Sequence, residues 1–240
     1  RAFIEHYWDA VLTPFAAYSF NKSHSTAYAL TAYKQAYLKA HFLPEFMASL
    51  MTVDQNETAK ERGATSPLAK AIAEARRVGM EMLAIDINRS TDRIEIEDDT
   101  HLRMSLAAIK GIGEKPVSAI LAARETGPFT GLHDFIARTV EIEREKDPTT
   151  GRKVPAAVNN TVTLGLIRAG AFDTFGDRGA QIALAEAYFG TTSAKKRAAI
   201  DWSVPPGRTD GIAPKDWLEA ERELLGFYLS AHPANSIDPA

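Results

Sequence analysis

LAAIKGIGEKPV, residues Leu106–Val117, is the stretch on which the fold turns. Leu106, Ala107, Ala108 and Ile109 are apolar, and apolar residues return at Val117. Between them stand Lys110-Gly111-Ile112-Gly113-Glu114-Lys115-Pro116. Apolar helices on either side of a glycine–aliphatic–glycine turn form a helix-hairpin-helix pattern. Glycines at 111 and 113 admit turn conformations that a Cβ would forbid. Ile112 can plug the gap between the helices. Pro116 suits the first turn of the second helix, where its missing N–H costs nothing. The free N–H groups of that helix start, with Lys110 and Lys115, can hold a phosphate oxygen. Such a grip reads the backbone of duplex DNA and not its sequence. The same spacing also fits a purely structural hairpin with a glycine turn.

Working outward, the pattern is helical from Leu102 and is broken only at Gly111-Ile112-Gly113. The charged stretch Val140 to Pro155 reads as a solvated excursion. Helices are expected over Asn160 to Ala169 and Gly179 to Phe189. Residues 190–214 read as a mobile linker, and a last helix runs from Pro214 to about Ser230. On the N-terminal side, Met80 to Ile87 and Ile94 to Ile96 are candidate strands, with Asp98-Asp99 as a turn. A helix over Leu68 to Val78 stops at Gly79, and residues 52–67 read as a loop. Further helices are expected over Ala2 to Tyr18, Ser25 to about His41, and Glu45 to Met51, with Pro44 at a break. The fold class is mainly α with a small β element.

The chain has 240 residues, 45% of them hydrophobic and 25% charged, an ordinary globular balance. Without cysteine it has no disulfide framework, thiolate metal site or Cys nucleophile. No apolar run approaches the roughly 20 residues that span a bilayer, so no membrane role is expected. No charged-then-apolar leader opens the chain, and a cytoplasmic location is expected. A formal net charge of -3 means that any nucleic-acid contact must gather its positive groups locally. The opening at Arg1, followed by Phe3, Tyr7, Trp8 and Phe15, reads as a piece of a longer polypeptide.

Asn21-Lys22-Ser23-His24 forms a second candidate site at a helix start, where free N–H donors and a partial positive charge sit. Lys22 could pair with a triphosphate and Ser23 donate to it; a plain N-cap beside a surface lysine fits the residues equally. The 6 histidines show no metal-ligand spacing. No phosphate-binding loop of the Walker type, nucleophile elbow or dinucleotide fingerprint is present. No complete active site is visible.

The run FNKSHSTAYALTAYKQAYLKAHFLPEFMASLM, Phe20–Met51, resembles the fingers segment of the bacterial replicative polymerases of the C family, the DNA polymerase III alpha family. The likeness continues through Glu74–Ser90, Leu106–Thr139 and LIRAGAFDTFGDR, Leu166–Arg178. It ends at ERELLGFYLSAHP, Glu221–Pro233, which in that family leads into an OB-fold.

The resemblance implies a segment of a DNA-directed DNA polymerase, which adds deoxynucleotides to a primer 3′ end. It implies fingers over 1–90, a helix-hairpin-helix domain over 91–190, and a linker and helix over 191–240. Lys22 and Ser23 become triphosphate contacts for the incoming dNTP, supported by Asn21 and His24. Lys110, Gly111, Gly113 and Lys115 match duplex-backbone contacts, with Ile112 as the plug. Mg²⁺ is held by palm aspartates upstream of these residues, so this piece alone should be inactive. The expected partners are primer-template duplex, dNTP, the sliding clamp (beta subunit) and other replisome subunits.

Three departures stand out. The clamp peptide of the family runs Gln, then Leu or Met, then Phe. Here the last glutamine is Gln181, and only Ile200-Asp201-Trp202 offers an apolar-x-aromatic remnant. The charged stretch from Glu141 to Pro155 exceeds the usual connection, and Val158-Asn159-Asn160-Thr161 replaces a commonly basic position. Two other classes compete: a non-catalytic helix-hairpin-helix module of a repair protein, and an α-helical scaffold for protein partners.

Overall fold

A computed structural model describes residues 2–14, 21–55, 66–141, 156–205, 207 and 215–230. The chain divides into two units, Arg1–Phe46 and Met47–Ala240. That division lies inside the stretch 1–90, and the strand pairing described below joins residues on both sides of position 90.

In the first unit α1 covers Ala2–Tyr7 and passes into a π-helical turn over Trp8–Leu12. The helix expected through Tyr18 therefore changes its winding at Trp8, whose carbonyl accepts both the N–H and the hydroxyl of Thr13. Its last expected residues lie outside the described ones. Helix α2 spans Lys22–His41, three residues earlier than Ser25, because the Asn21 side chain accepts the His24 N–H at 3.0 Å. Neither α1 nor α2 buries a residue. Along α2 the rings of His24 and Tyr28 lie 4.3 Å apart and those of Tyr37 and His41 4.4 Å apart. Helix α3, Leu43–Asp54, holds Pro44 in its first turn; the break falls at Phe42, so Pro44 begins the helix.

The second unit takes in Met47, Ala48 and Met51, the buried face of α3. Helix α4, Pro67–Arg77, is capped by Ser66 and closed by Gly79 at φ 87°. The loop expected before it lies partly outside the described residues, at 56–65. A three-stranded sheet follows: β1 Glu81–Leu83, β2 Glu95–Ile96 and β3 His101–Arg103. Strand β3 is central, parallel to β1 and antiparallel to β2. It stands where a helix was expected from Leu102. Leu102, Met104 and Leu106 alternate into the core, all at 0% exposure, and the intervening Arg103 is buried because Glu97 and the Ala84 carbonyl satisfy it.

The rest is helical: a 3₁₀ turn over Leu106–Ala108, α5 Glu114–Arg124, α6 Leu132–Thr139 and α7 Asn160–Arg168. A second 3₁₀ turn covers Asp173–Phe175, followed by α8 Arg178–Phe189, α9 Ala194–Ala198 and α10 Lys215–Leu225. Phe135 meets Phe129 and Phe172 edge-on at 5.2 and 5.0 Å, and all three are buried. Such pairs contribute roughly 0.5–1.5 kcal/mol each beyond their burial. The excursion over 140–155 lies outside the described residues from 142 onward.

Two terminal expectations need correction. Residues 190–205 are not a bare linker: α9 occupies part of them, and Trp202 stacks on His133 of α6 at 4.7 Å. The remainder of that stretch, at 206 and 208–214, lies outside the described residues. The last helix ends at Leu225 and not near Ser230, because Gly226 turns the chain at φ 85°.

Candidate nucleic-acid interface

The turn Lys110–Gly113 is built from both sides. Ahead of it, the first arm is one 3₁₀ turn, shorter than the helix that the glycine pattern implied. Strand β3 consumes the residues before it, and Ser105 caps it by accepting the Ala108 N–H at 3.1 Å. Ile109 is extended and buried, and the Ile112 N–H returns to the Ile109 carbonyl at 3.0 Å. Gly111 has φ 87°, a left-handed conformation that favours glycine. Gly113, the N-cap of α5, has φ -86° and ψ -173°, ordinary extended backbone. Only the first glycine is demanded by the backbone itself.

Ile112 is 5% exposed and fills the space beneath the turn. Its Cδ1 faces Gly165 of α7, 3.8 Å from where a Cβ would stand. The Lys110 N–H donates to the Leu224 carbonyl at 2.8 Å, so the end of α10 braces the turn. Leu224 belongs to the last turn of its helix, where carbonyls lack intrahelical donors.

At the other side of the turn α5 opens with no side-chain cap. Among the described residues, the backbone N–H groups of Gly113, Glu114 and Lys115 have no protein acceptor, and Pro116 carries none. Lys110, Gly111, Gly113 and Lys115 are all exposed beside them. Converging N–H donors, the positive end of a helix dipole and flanking lysines suit a phosphate oxygen. Glu114, also exposed in that first turn, opposes the charge of the lysines. The opposite end of α5 is fastened by Arg124, which donates to the carbonyls of Ile87 at 3.1 Å and Ser90 at 2.8 Å. Burial lowers the Arg124 pKa, against the raising effect of Asp86 and Glu95.

In the first unit, Asn21, Lys22, Ser23 and His24 share one exposed helix start. The Asn21 oxygen is engaged as the cap, and His24 lies against Tyr28. Ile200 and Trp202 are half-buried, Trp202 between His133 and Tyr188. Among the described residues no group of three or more His, Asp or Glu is arranged to hold a metal ion. The Mg²⁺ implied by the resemblance thus has no fitting ligand set among these residues. No helix among them is long and apolar enough to cross a membrane.

The helix-hairpin-helix motif family matches residues 79–182, which include the sheet, the turn and α5 to α7. The chain is 35% identical over 236 residues to the DNA polymerase III subunit alpha of Aquifex aeolicus, covering 98% of this chain and 18% of the relative. The chain is homologous to one segment of the DNA polymerase III alpha subunits. The subunit of Vibrio cholerae is 36% identical over 238 residues, and that of Escherichia coli K12 35% over 244 residues. Each match covers 92% of this chain and 19% of the relative. The chain thus spans about a fifth of the length of these alpha subunits.

The sequence pattern located the turn but missed its supports. Gly165 and Leu224 lie far along the chain and act through a missing side chain and a backbone carbonyl, which leave no motif. The only legible hint was apolar α10 spacing at Leu218, Leu224 and Leu225.

Proposed function

We propose that this chain serves a replicative DNA-directed DNA polymerase by gripping the backbone of the primer-template duplex without reading its sequence. The observation that carries this reading is the uncapped start of α5: unclaimed N–H groups of Gly113, Glu114 and Lys115 beside exposed Lys110 and Lys115. The similarity to alpha subunits over 98% of the chain supports the same setting. In the intact enzyme the reaction is nucleotidyl transfer to a primer 3′ hydroxyl, with Mg²⁺ held by residues outside this sequence.

Within that reading, residues 1–90 serve as part of the fingers, 91–190 as the duplex-binding domain, and 191–240 as the connection onward. The Asn21–His24 helix start takes the triphosphate of the incoming dNTP, with Lys22 pairing its charge and Ser23 donating a hydrogen bond. Ile200 and Trp202 are the residues offered to the sliding clamp, and the setting is the replisome of the cytoplasm.

The test is a duplex titration of the chain at two salt concentrations, wild type beside Gly113→Val/Lys115→Ala. Loss of salt-dependent binding in the double variant supports the grip. Equal binding by both proteins removes the hairpin from DNA. For the nucleotide, Lys22→Ala in a full-length enzyme should raise KM for all four dNTPs and spare primer-template affinity; the reverse pattern removes Lys22 from that site.

A further inference from the structure

We propose that Gln55 is a positioning residue for the phosphate grip, holding Ser105 so that the 3₁₀ turn presents Lys110 and Gly111 in place; this rests on the hairpin being a DNA contact. Gln55 follows the last turn of α3, its N–H bound to the Met51 carbonyl at 2.9 Å. Its side-chain amide faces two ways. The Nε2 donates to the Asp92 carbonyl at 2.9 Å, and the Oε1 accepts the hydroxyl of Ser105. Ser105, at 0% exposure, accepts the Ala108 N–H on the same oxygen.

That arrangement fixes the direction of the Ser105 proton, which goes to Gln55, and leaves the serine oxygen to accept from Ala108. A serine hydroxyl has one proton and rotates to suit its acceptor. With Gln55 taking the proton, a lone pair of Ser105 is left aimed at the Ala108 N–H. Loss of Gln55 frees the rotor, and the buried hydroxyl must seek another acceptor at the expense of the cap. The neighbouring bonds pass any shift toward the DNA-facing turn. Ala108 leads to Ile109, whose carbonyl holds the Ile112 N–H, and Lys110 between them is held from the far side by Leu224. Gln55 itself is only half-buried, at the margin of a core already filled by Leu102, Met104 and Leu106. Its polar contacts serve the loop at Asp92 and the foot of the hairpin.

The experiment is a duplex titration of the full chain over a range of salt, with Gln55→Ala, Lys115→Ala, the double variant, and Ile136→Val as a destabilised control. The expected result is an affinity loss of about tenfold for Gln55→Ala, with a smaller salt slope. The double variant should lose less than the product of the single losses, and Ile136→Val should keep the wild-type slope. Ser105→Ala should reproduce the Gln55→Ala slope. If Lys115→Ala weakens binding and Gln55→Ala does not, or if their effects multiply independently, Gln55 does not position the grip although the grip stands. If Lys115→Ala also leaves binding unchanged, the hairpin reading fails and this inference with it. If Gln55→Ala does not fold, Gln55→Met decides, since it keeps the volume and the apolar stem: an unchanged slope overturns the assignment.

Discussion

Ile112 and Gly165 face each other, with the isoleucine Cδ1 3.8 Å from the position of an added Cβ on the glycine. That distance is ordinary van der Waals contact, and Gly165 sits inside α7 with no positive φ. Gly165→Ala should therefore stabilise the chain by roughly 0.5–1 kcal/mol, from the helix preference of alanine. Urea unfolding checks this, and duplex affinity should stay unchanged. A bulkier Gly165→Leu should press on Ile112 and cost both stability and DNA binding.

The glycines of the turn should separate in their effects. Gly111→Ala meets open space but must hold φ 87°, so strain alone should cost about 1–2 kcal/mol. Gly113→Ala meets open space at an ordinary conformation and should leave the unfolding midpoint nearly unchanged. A fall in duplex affinity for Gly113→Ala without loss of stability would show that phosphate approaches the backbone there. Equal destabilisation by both substitutions would contradict the strain argument.

Arg138 closes the far end of α5. Its guanidinium donates to the carbonyls of Ala123, Gly127 at 2.7 Å and Pro128 at 3.3 Å, and pairs with Asp134 at 3.0 Å. It also lies over the Phe129 ring at 4.4 Å. Lysine keeps the charge but not the planar fork. Arg138→Lys should destabilise by about 1–3 kcal/mol, since carbonyls would be left without donors. Thermal unfolding of the variant checks this.

A pH-dependent pair sits at the turn before β3. Asp98 accepts the N–H of Thr100 at 2.8 Å and lies 2.9 Å from the His101 ring, and these bonds hold its pKa far below the usual carboxylate range. The Asp98 carboxylate, with a smaller contribution from Glu81, raises the His101 pKa. The histidine contribution to stability is present below the ordinary histidine range and fades as pH rises through the raised value. The carboxylate contribution is present above the ordinary carboxylate range and fades as pH falls through the depressed value. An NMR titration of His101 should show a midpoint above that of free histidine, returning toward it in Asp98→Asn. An unshifted midpoint in the wild-type chain would refute the pairing.

Most helices were legible because their ends carry chemistry. Expected starts near Leu68, Asn160 and Gly179 fall beside Ser66, Asn159 and Asp177, each of which caps its helix. Strand β3 was hidden although His101 to Leu106 alternates polar and apolar residues, because Leu102 and Leu106 also stand at helical spacing and the apolar run Leu106 to Ile109 follows them. The first arm of the hairpin looked helical from its apolar run, while β3 had already claimed the chain ahead of it. For the candidate site, the turn and its lysines were visible, but Gln55 and Leu224 bind through single polar atoms of ordinary residues. Trp202 looked free in a linker; only the fold brings His133 beneath it.

The brace between Lys110 and Leu224 has a consequence in time. The turn and its partner are separated by more than a hundred residues of chain, and the Arg76 contact to the Leu229 carbonyl spans 153. During vectorial synthesis at ~5–20 residues per second, the hairpin must wait on the order of ten seconds before α10 emerges to meet it. A nascent chain halted before residue 224 would carry the sheet and α5 with an unsecured turn. Competence to hold DNA would then be a late event in the maturation of this unit, arriving with α10.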